Sequence, residues 1–215
     1  MTTHLIEEPN GTGEVTRQSV ETREELESFR RIFIGGAEEA SEVMTRWTAR
    51  KIHLRIDRVQ RLLPEQVADE LKLKDEILTM IVLGFEGEVG ATFLLMFDER
   101  QGRCLAARLA RTALVLDQPW SDLEKSALME TGNILACAYL NVMTDTLGAE
   151  VRLTEPFFVQ DYGASVIEQA VLEQAAEADH VLLCETSFEC ANEPVSWRFL
   201  LIPDRRFERA LLEES

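Results

Sequence analysis

Phe93-Leu94-Leu95-Met96-Phe97-Asp98-Glu99-Arg100 and Phe199-Leu200-Leu201-Ile202-Pro203-Asp204-Arg205-Arg206 are two versions of one octapeptide. Each is an apolar run closed by Asp and followed by charge. Met44-Thr45 and Met143-Thr144 form a second matched pair in the same order, each ahead of a segment that reads as a strand. Self-similarity in consistent order is the signature of an internal duplication. The elements support it, because each half reads helix, strand, short helix, two strands, helix. The expected fold is α/β in the α+β sense: one pseudo-symmetric domain over 21–215, with repeats at about 22–116 and 119–215. Residues 1–20 lack periodic apolar positions and read as a flexible tail. Each half has too few strands to bury both of its faces alone, so a single, mostly antiparallel sheet shared by both halves is predicted.

Outward from the octapeptides, helical spacing runs through Leu26, Phe29 and Phe33 to about Arg50. Ile52, Leu54 and Ile56 then alternate with polar residues, as in a half-buried strand. Strands are expected at Glu76–Phe85 and Val89–Asp98, joined by a turn at Glu86-Gly87-Glu88. A helix is expected over 100–116 and a longer one over 121–147, opened by Pro119 and Ser121 and stopped by Gly148. Residues 151–160 read as extended around Pro156. The second half continues with a helix near 164–178, strands at 180–190 and 195–202, and a terminal helix near 204–213. The two long helices, near 24–50 and 121–147, are predicted to be equivalent and to pair on one face of the sheet, giving two layers.

Bulk composition narrows the partners. The net charge is −17, and such a surface repels phosphate backbones and anionic lipid, so neither nucleic acid nor membrane is an expected partner. No apolar run approaches the roughly 18 residues needed to span a bilayer. The four cysteines form no CxxC, and the three histidines are scattered, so no metal-ligand spacing is present. Scattered cysteines without a signal peptide fit a reducing cytoplasm. The chain has no G-x4-G-K-S/T phosphate loop, no G-x-S-x-G and no histidine near Ser126.

The 121–147 helix is unusual. Between Ser126 and Met143 its only charged residue is Glu130. A narrow polar stripe, Ser126, Glu130, Asn133, Cys137, Asn141 and Thr144, runs between two apolar faces at steps of three or four residues. A helix so poor in charge is either buried nearly all round or an exposed ridge that meets a partner. Gly132 costs about 1 kcal/mol against Ala in a helix interior, and beside Asn133 it is expected to admit another backbone closely. Ser126, Gly132, Cys137 and Asn141 are therefore candidate partner contacts.

Ser126-x3-Glu130-x2-Asn133, then 22 residues, then Pro156, resembles the signature of the CheC/CheX/FliY phosphatases of chemotaxis. Glu130-Thr-Gly-Asn-Ile-Leu-Ala-Cys-Ala-Tyr-Leu-Asn141 is closest to CheC. The resemblance implies an aspartyl-phosphate phosphatase acting on a CheY-like receiver, with Asn133 and Glu130 as catalytic residues. Asn133 would position water, Glu130 would engage the receiver's lysine, and Mg²⁺ would sit on the receiver, leaving this chain without a cofactor. It also implies that the deamidase CheD is a possible partner and that a non-catalytic adaptor is the alternative function. A chain ending at Ser215 is not expected to be a FliY-type switch component. CheC proteins often carry two motifs. Placing Thr144 on Thr45 sets Glu130 on Arg31, Asn133 on Ile34 and Pro156 on Asp57, so the first copy is expected to be degenerate.

Overall fold

The computed structural model describes residues 12–49, 51–72, 77–174, 180–190 and 193–213. The first repeat opens with helix α1 (Thr12–Thr48) and strand β1 (Ile52–Leu62), followed by a 3-10 turn (Pro64–Gln66) and the short helix α2 (Val67–Glu70). Strands β2 (Ile77–Gly87) and β3 (Ala91–Asp98) and helix α3 (Glu99–Ala110) complete it. The second repeat is α4 (Asp122–Leu147), β4 (Val151–Leu153), β5 (Phe157–Tyr162), α5 (Gly163–Gln174), β6 (Val181–Cys190), β7 (Glu193–Pro203) and α6 (Arg205–Glu213). Here β4 and β5 together stand where β1 stands in the first repeat.

Among the described residues, one seven-stranded antiparallel sheet runs β1-β6-β7-β3-β2, with β4 and β5 both on the outer edge of β2. The repeats interlock. β1 of the first pairs with β6 of the second, and β5 of the second pairs with β2 of the first. At the centre, β3 lies against β7 with Leu94 opposite Leu200. These are the residues that coincide when the two octapeptides are superposed, so the pseudo-two-fold axis passes between them. Their neighbours Phe93 and Phe199 stack with ring centroids 5.3 Å apart.

Central strands buried on both faces must be apolar at nearly every position. Phe93 to Phe97 meets this demand, every residue of it being buried. Odd positions of β3 join the core under α1 and α4, with Phe33, Leu135 and Tyr139. Even positions face a second cluster under Val67 and Leu71, at α2, and Ile167 of α5. The long helices pair on one face as expected, and the two short helices add a partial third layer on the other.

Three boundaries differ from the sequence reading. Helix α1 begins at Thr12, inside the stretch expected to be a tail, and only residues 1–11 of that stretch lie outside the described residues. Good helix formers such as Glu14, Arg17 and Gln18 let the chain enter a helix without any apolar period. Helix α3 stops at Ala110 instead of running to 116. Arg111 turns left-handed at φ 56°, and the Thr112 N–H donates back to Ala107 O at 2.9 Å, a closing bond that ends a helix whatever follows. Strand β2 runs through Gly87, placing the turn later than Glu86-Gly87-Glu88. A Cβ on Gly87 would lie 2.1 Å from Glu150 O, so only glycine lets the incoming β4 approach there.

Candidate functional site

Helix α4 is set rigidly at both ends. Ser121 Oγ accepts the Glu124 N–H at 3.3 Å, while Glu124 Oε2 accepts the Ser121 N–H at 2.8 Å, a reciprocal capping box. Burial disfavours the Glu124 carboxylate, but the Ser121 hydrogen bonds and the Arg103 charge outweigh it and hold its pKa below the usual value. At the other end, left-handed Gly148 donates its N–H to Thr144 O at 2.8 Å.

Between these caps the polar stripe faces outward. Ser126, Glu130, Cys137 and Asn141 are exposed, and Asn133 and Thr144 are half-buried. The opposite side packs on β2. Gly132 belongs to that side, contrary to its expected role as a partner contact. It is buried, and a Cβ there would fall 2.6 Å from Ile81 Cγ2. What it admits is the β2 side chain beneath the helix.

Ser126, Met129, Glu130 and Asn133 form one wall of an open groove, and Leu153, Thr154, Glu155 and Pro156 form the other. The four motif positions separated in sequence by up to 30 residues (156 − 126) thus line one concavity. Among the described residues, neither the Glu130 nor the Asn133 side chain is engaged in a hydrogen bond or ion pair.

The second wall is a β-bulge. Leu153 pairs with Phe85 and Phe157 with Val82, so three residues, Thr154 to Pro156, oppose two, Leu83 and Gly84. Thr154 locks it. The Gly84 N–H donates to Thr154 Oγ1 at 2.8 Å, and the Thr154 N–H returns a bond to Gly84 O at 2.9 Å. The absent Gly84 side chain makes room, since a Cβ there would meet Thr154 Cγ2 at 3.0 Å. Pro156 has no N–H to give to a ladder, so the strand breaks there without leaving a donor unpaired.

A buried arginine ties the two walls together. Arg103 of α3 donates through Nε to Glu99 Oε1 at 3.1 Å and through Nη2 to Gln118 O at 2.5 Å. Its guanidinium lies 4.3 Å from the Trp120 ring and 3.6 Å from Glu124 of the capping box. Trp120 packs edge-on against Phe158 of β5 at 5.4 Å. Arg103 and Trp120 have no motif of their own, so nothing in their spacing marked them.

The remaining stripe residues do not line the groove. Asn141 Nδ2 donates to Glu39 Oε1 of α1 at 2.6 Å, so its amide joins the two long helices rather than standing free for a partner. Cys137 is exposed on the same face. Partial burial, then the charges of Glu130 and Glu39, raise its pKa above the usual value.

In the first repeat, Arg31 and Ile34 are exposed on α1. Strand β1 also carries a one-residue bulge, between Ile56 and Arg58. The bulged residue is Asp57, the counterpart of Pro156. Asp57 pairs with Arg55 at 2.7 Å and lines a different pocket with Asp98, Glu185 and Arg198, to which neither Arg31 nor Ile34 contributes. Side chains of α1 clasp the strand: the Leu54 N–H donates to Ser41 Oγ at 2.8 Å and the Ile52 N–H to Thr45 Oγ1 at 2.9 Å.

The architecture is that of the CheC, CheX and FliY proteins. FliY of Thermotoga maritima superposes with a TM-score of 0.71 at 13% identity, over 89% of this chain and 95% of that one. FliM in a FliG–FliM complex from H. pylori gives 0.64 at 14%, over 86% and 98%. CheX in a CheX–CheY–BeF3–Mg²⁺ complex from Borrelia burgdorferi gives 0.53 at 13%, over 80% and 97%. No family model matches the chain. Among characterised proteins, the CheY-P phosphatase CheC of Bacillus subtilis (strain 168) is 22% identical over 185 residues, 84% of this chain and 88% of CheC. The chain therefore shares its fold with FliY, FliM and CheX and is similar in sequence to CheC over most of both chains. Among the described residues no helix is long and apolar enough to cross a membrane.

Proposed function

We propose that this chain hydrolyses the aspartyl phosphate of a CheY-like receiver, in chemotaxis or a related two-component pathway, with Asn133 and Glu130 as its working residues. The observation that carries the reading is the groove, in which Ser126, Glu130, Asn133 and Pro156 converge. The similarity to the CheY-P phosphatase CheC supports the reaction class.

An acyl phosphate is already activated, so the chain need supply no covalent nucleophile. Water attacks phosphorus in line with the aspartyl oxygen, the P–O bond to the receiver breaks, and aspartate leaves as a carboxylate beside inorganic phosphate. Most of the charge handling falls to the receiver's own metal and lysine. CheX has been crystallised with CheY, BeF3 and Mg²⁺, which supports a Mg²⁺-loaded receiver as partner. The Asn133 amide offers both a donor and an acceptor, so it can hold the attacking water in one orientation. Being un-ionisable, it does not repel the phosphoryl oxygens as a carboxylate would. Glu130, one turn away, would pair with the receiver lysine and set the register of the two proteins. Both residues come from one helix capped at each end, which keeps their separation fixed.

A non-catalytic adaptor that binds a receiver or CheD is the second reading, favoured by the shared fold with FliM in its complex with FliG. Release of inorganic phosphate from a phosphorylated, Mg²⁺-loaded CheY-like receiver separates them. Acceleration by this chain that is lost in Asn133→Ala supports the phosphatase, whereas binding without release supports the adaptor.

A further inference from the structure

The groove holds a second carboxylate outside the motif. Glu155 sits on the bulge wall, facing the groove that Glu130 lines from α4. Its backbone is placed by the Thr154 clamp, and Thr154 Oγ1 also reaches Glu155 O at 3.4 Å. Glu155 is exposed, and no hydrogen bond or ion pair to another described residue occupies its carboxylate. None of the residues lining the groove is cationic. The bulge is held by Thr154, through its hydroxyl and its backbone N–H, and not by the Glu155 side chain.

The electrostatic consequence is specific. A phosphoryl dianion entering alone would meet Glu130 and Glu155 with no compensating positive side chain in the groove. A phosphoryl group held by a divalent cation and ringed by lysine would present positive charge to the same two carboxylates. We propose that Glu155 is a second cation-contact residue. Together with Glu130 it restricts the groove to phosphoryl groups that arrive already complexed by cations on a protein surface, and excludes small free acyl phosphates. This inference rests on the phosphatase reading for its substrate, but Glu155 acts in association, before chemistry.

The test uses the full chain, its Glu155→Gln and Glu155→Lys variants, and Asn133→Ala. Affinity for a beryllofluoride- and Mg²⁺-loaded CheY-like receiver is titrated at low and high ionic strength, and phosphate release is followed from the phosphorylated receiver and from acetyl phosphate with Mg²⁺. Exposed ion pairs contribute modestly, so Glu155→Gln should weaken binding about two- to fivefold, and Glu155→Lys more. The salt dependence of binding should shrink in Glu155→Gln, while kcat at saturating receiver stays within about twofold. Acetyl phosphate should not be hydrolysed faster than in buffer. Unchanged affinity and salt dependence in both Glu155 variants, or hydrolysis of acetyl phosphate by the unmutated chain, would overturn the proposal. Glu155-dependent binding without phosphate release would instead overturn the phosphatase reading and leave Glu155 as a contact residue of an adaptor.

Discussion

The Tyr139 ring of α4 lies directly on Gly36 of α1. A Cβ at position 36 would fall 2.1 Å from Tyr139 Cδ1, and the same ring sits 4.9 Å from Phe199 and 6.0 Å from Phe93 across the pseudo-two-fold centre. The long helices therefore approach through a ring-on-backbone contact that no side chain could share. Gly36→Ala should lower stability by about 1–3 kcal/mol through overpacking. Urea unfolding would register it as a reduced midpoint with an unchanged slope. Gly132→Ala, which meets Ile81 Cγ2 at 2.6 Å, should behave alike. It should also lower turnover, because it lifts the Asn133 segment off β2. A stability equal to the parent in both variants would contradict the packing described.

Asn133→Ala removes a half-buried side chain with no described hydrogen bond. Little stability should be lost, within about 0.5 kcal/mol of the parent. Phosphate release from the receiver should fall about 10²- to 10³-fold, the usual effect of deleting one positioning group. Hydrolysis at the parental rate would rule out the water-positioning role.

Glu130→Gln should separate binding from chemistry differently from Asn133→Ala. If Glu130 registers the receiver through its lysine, both affinity and turnover fall, and the loss of affinity is larger at low salt. A variant that loses turnover alone would reassign Glu130 to the chemical step.

Thr154→Val keeps the shape of the side chain but leaves the Gly84 N–H without its acceptor. A cost of about 1–2 kcal/mol is expected, with a drop in kcat beyond what stability explains, because the Pro156 wall is no longer fixed opposite Asn133. Thr154→Ser restores the hydroxyl and should recover both. Failure of the serine variant to rescue would show that the methyl group, not the hydrogen bond, holds the wall.

Two buried acids set an alkaline limit. Burial pushes the Cys184 thiol up to about 12 and the Tyr139 phenol well above its usual value. Both raised groups are neutral in the folded chain and ionise earlier once unfolded. Their contribution to stability is intact below the unfolded pKa of each and is lost as pH rises toward the folded one. Stability should decline above about pH 9, by up to roughly 1.4 kcal/mol per pH unit for each titrating group. Cys184→Ala should flatten the Cys184 part of that decline in a series of denaturation curves between pH 8 and 11. An unaltered slope would assign the decline to other groups.

Local chemistry written in the residues themselves was legible without a structure. The duplicated octapeptide, the alternation through Ile52 to Ile56, the Ser121 start and Gly148 stop of α4, and its single charge at Glu130 follow from propensity, period and capping. Each acts over a few residues, and together they specified the element order, the shared antiparallel sheet and the paired long helices. Contacts between distant segments were not legible. Gly132 read as an opening for a partner, and only the packing of α4 on Ile81 shows that it faces inward. Asn141 read as a free contact until α1 brought Glu39 to it. The two bulges, at Asp57 and at Thr154–Pro156, occupy matching places in the repeats, but only the second closes a groove with the α4 stripe, because Thr154 pins it to Gly84 while Ser41 and Thr45 clasp β1 to α1. Sequence determined which residue types lie on the ridge. Tertiary structure decided where the ridge becomes a groove, since that depends on how two segments separated along the chain are held side by side.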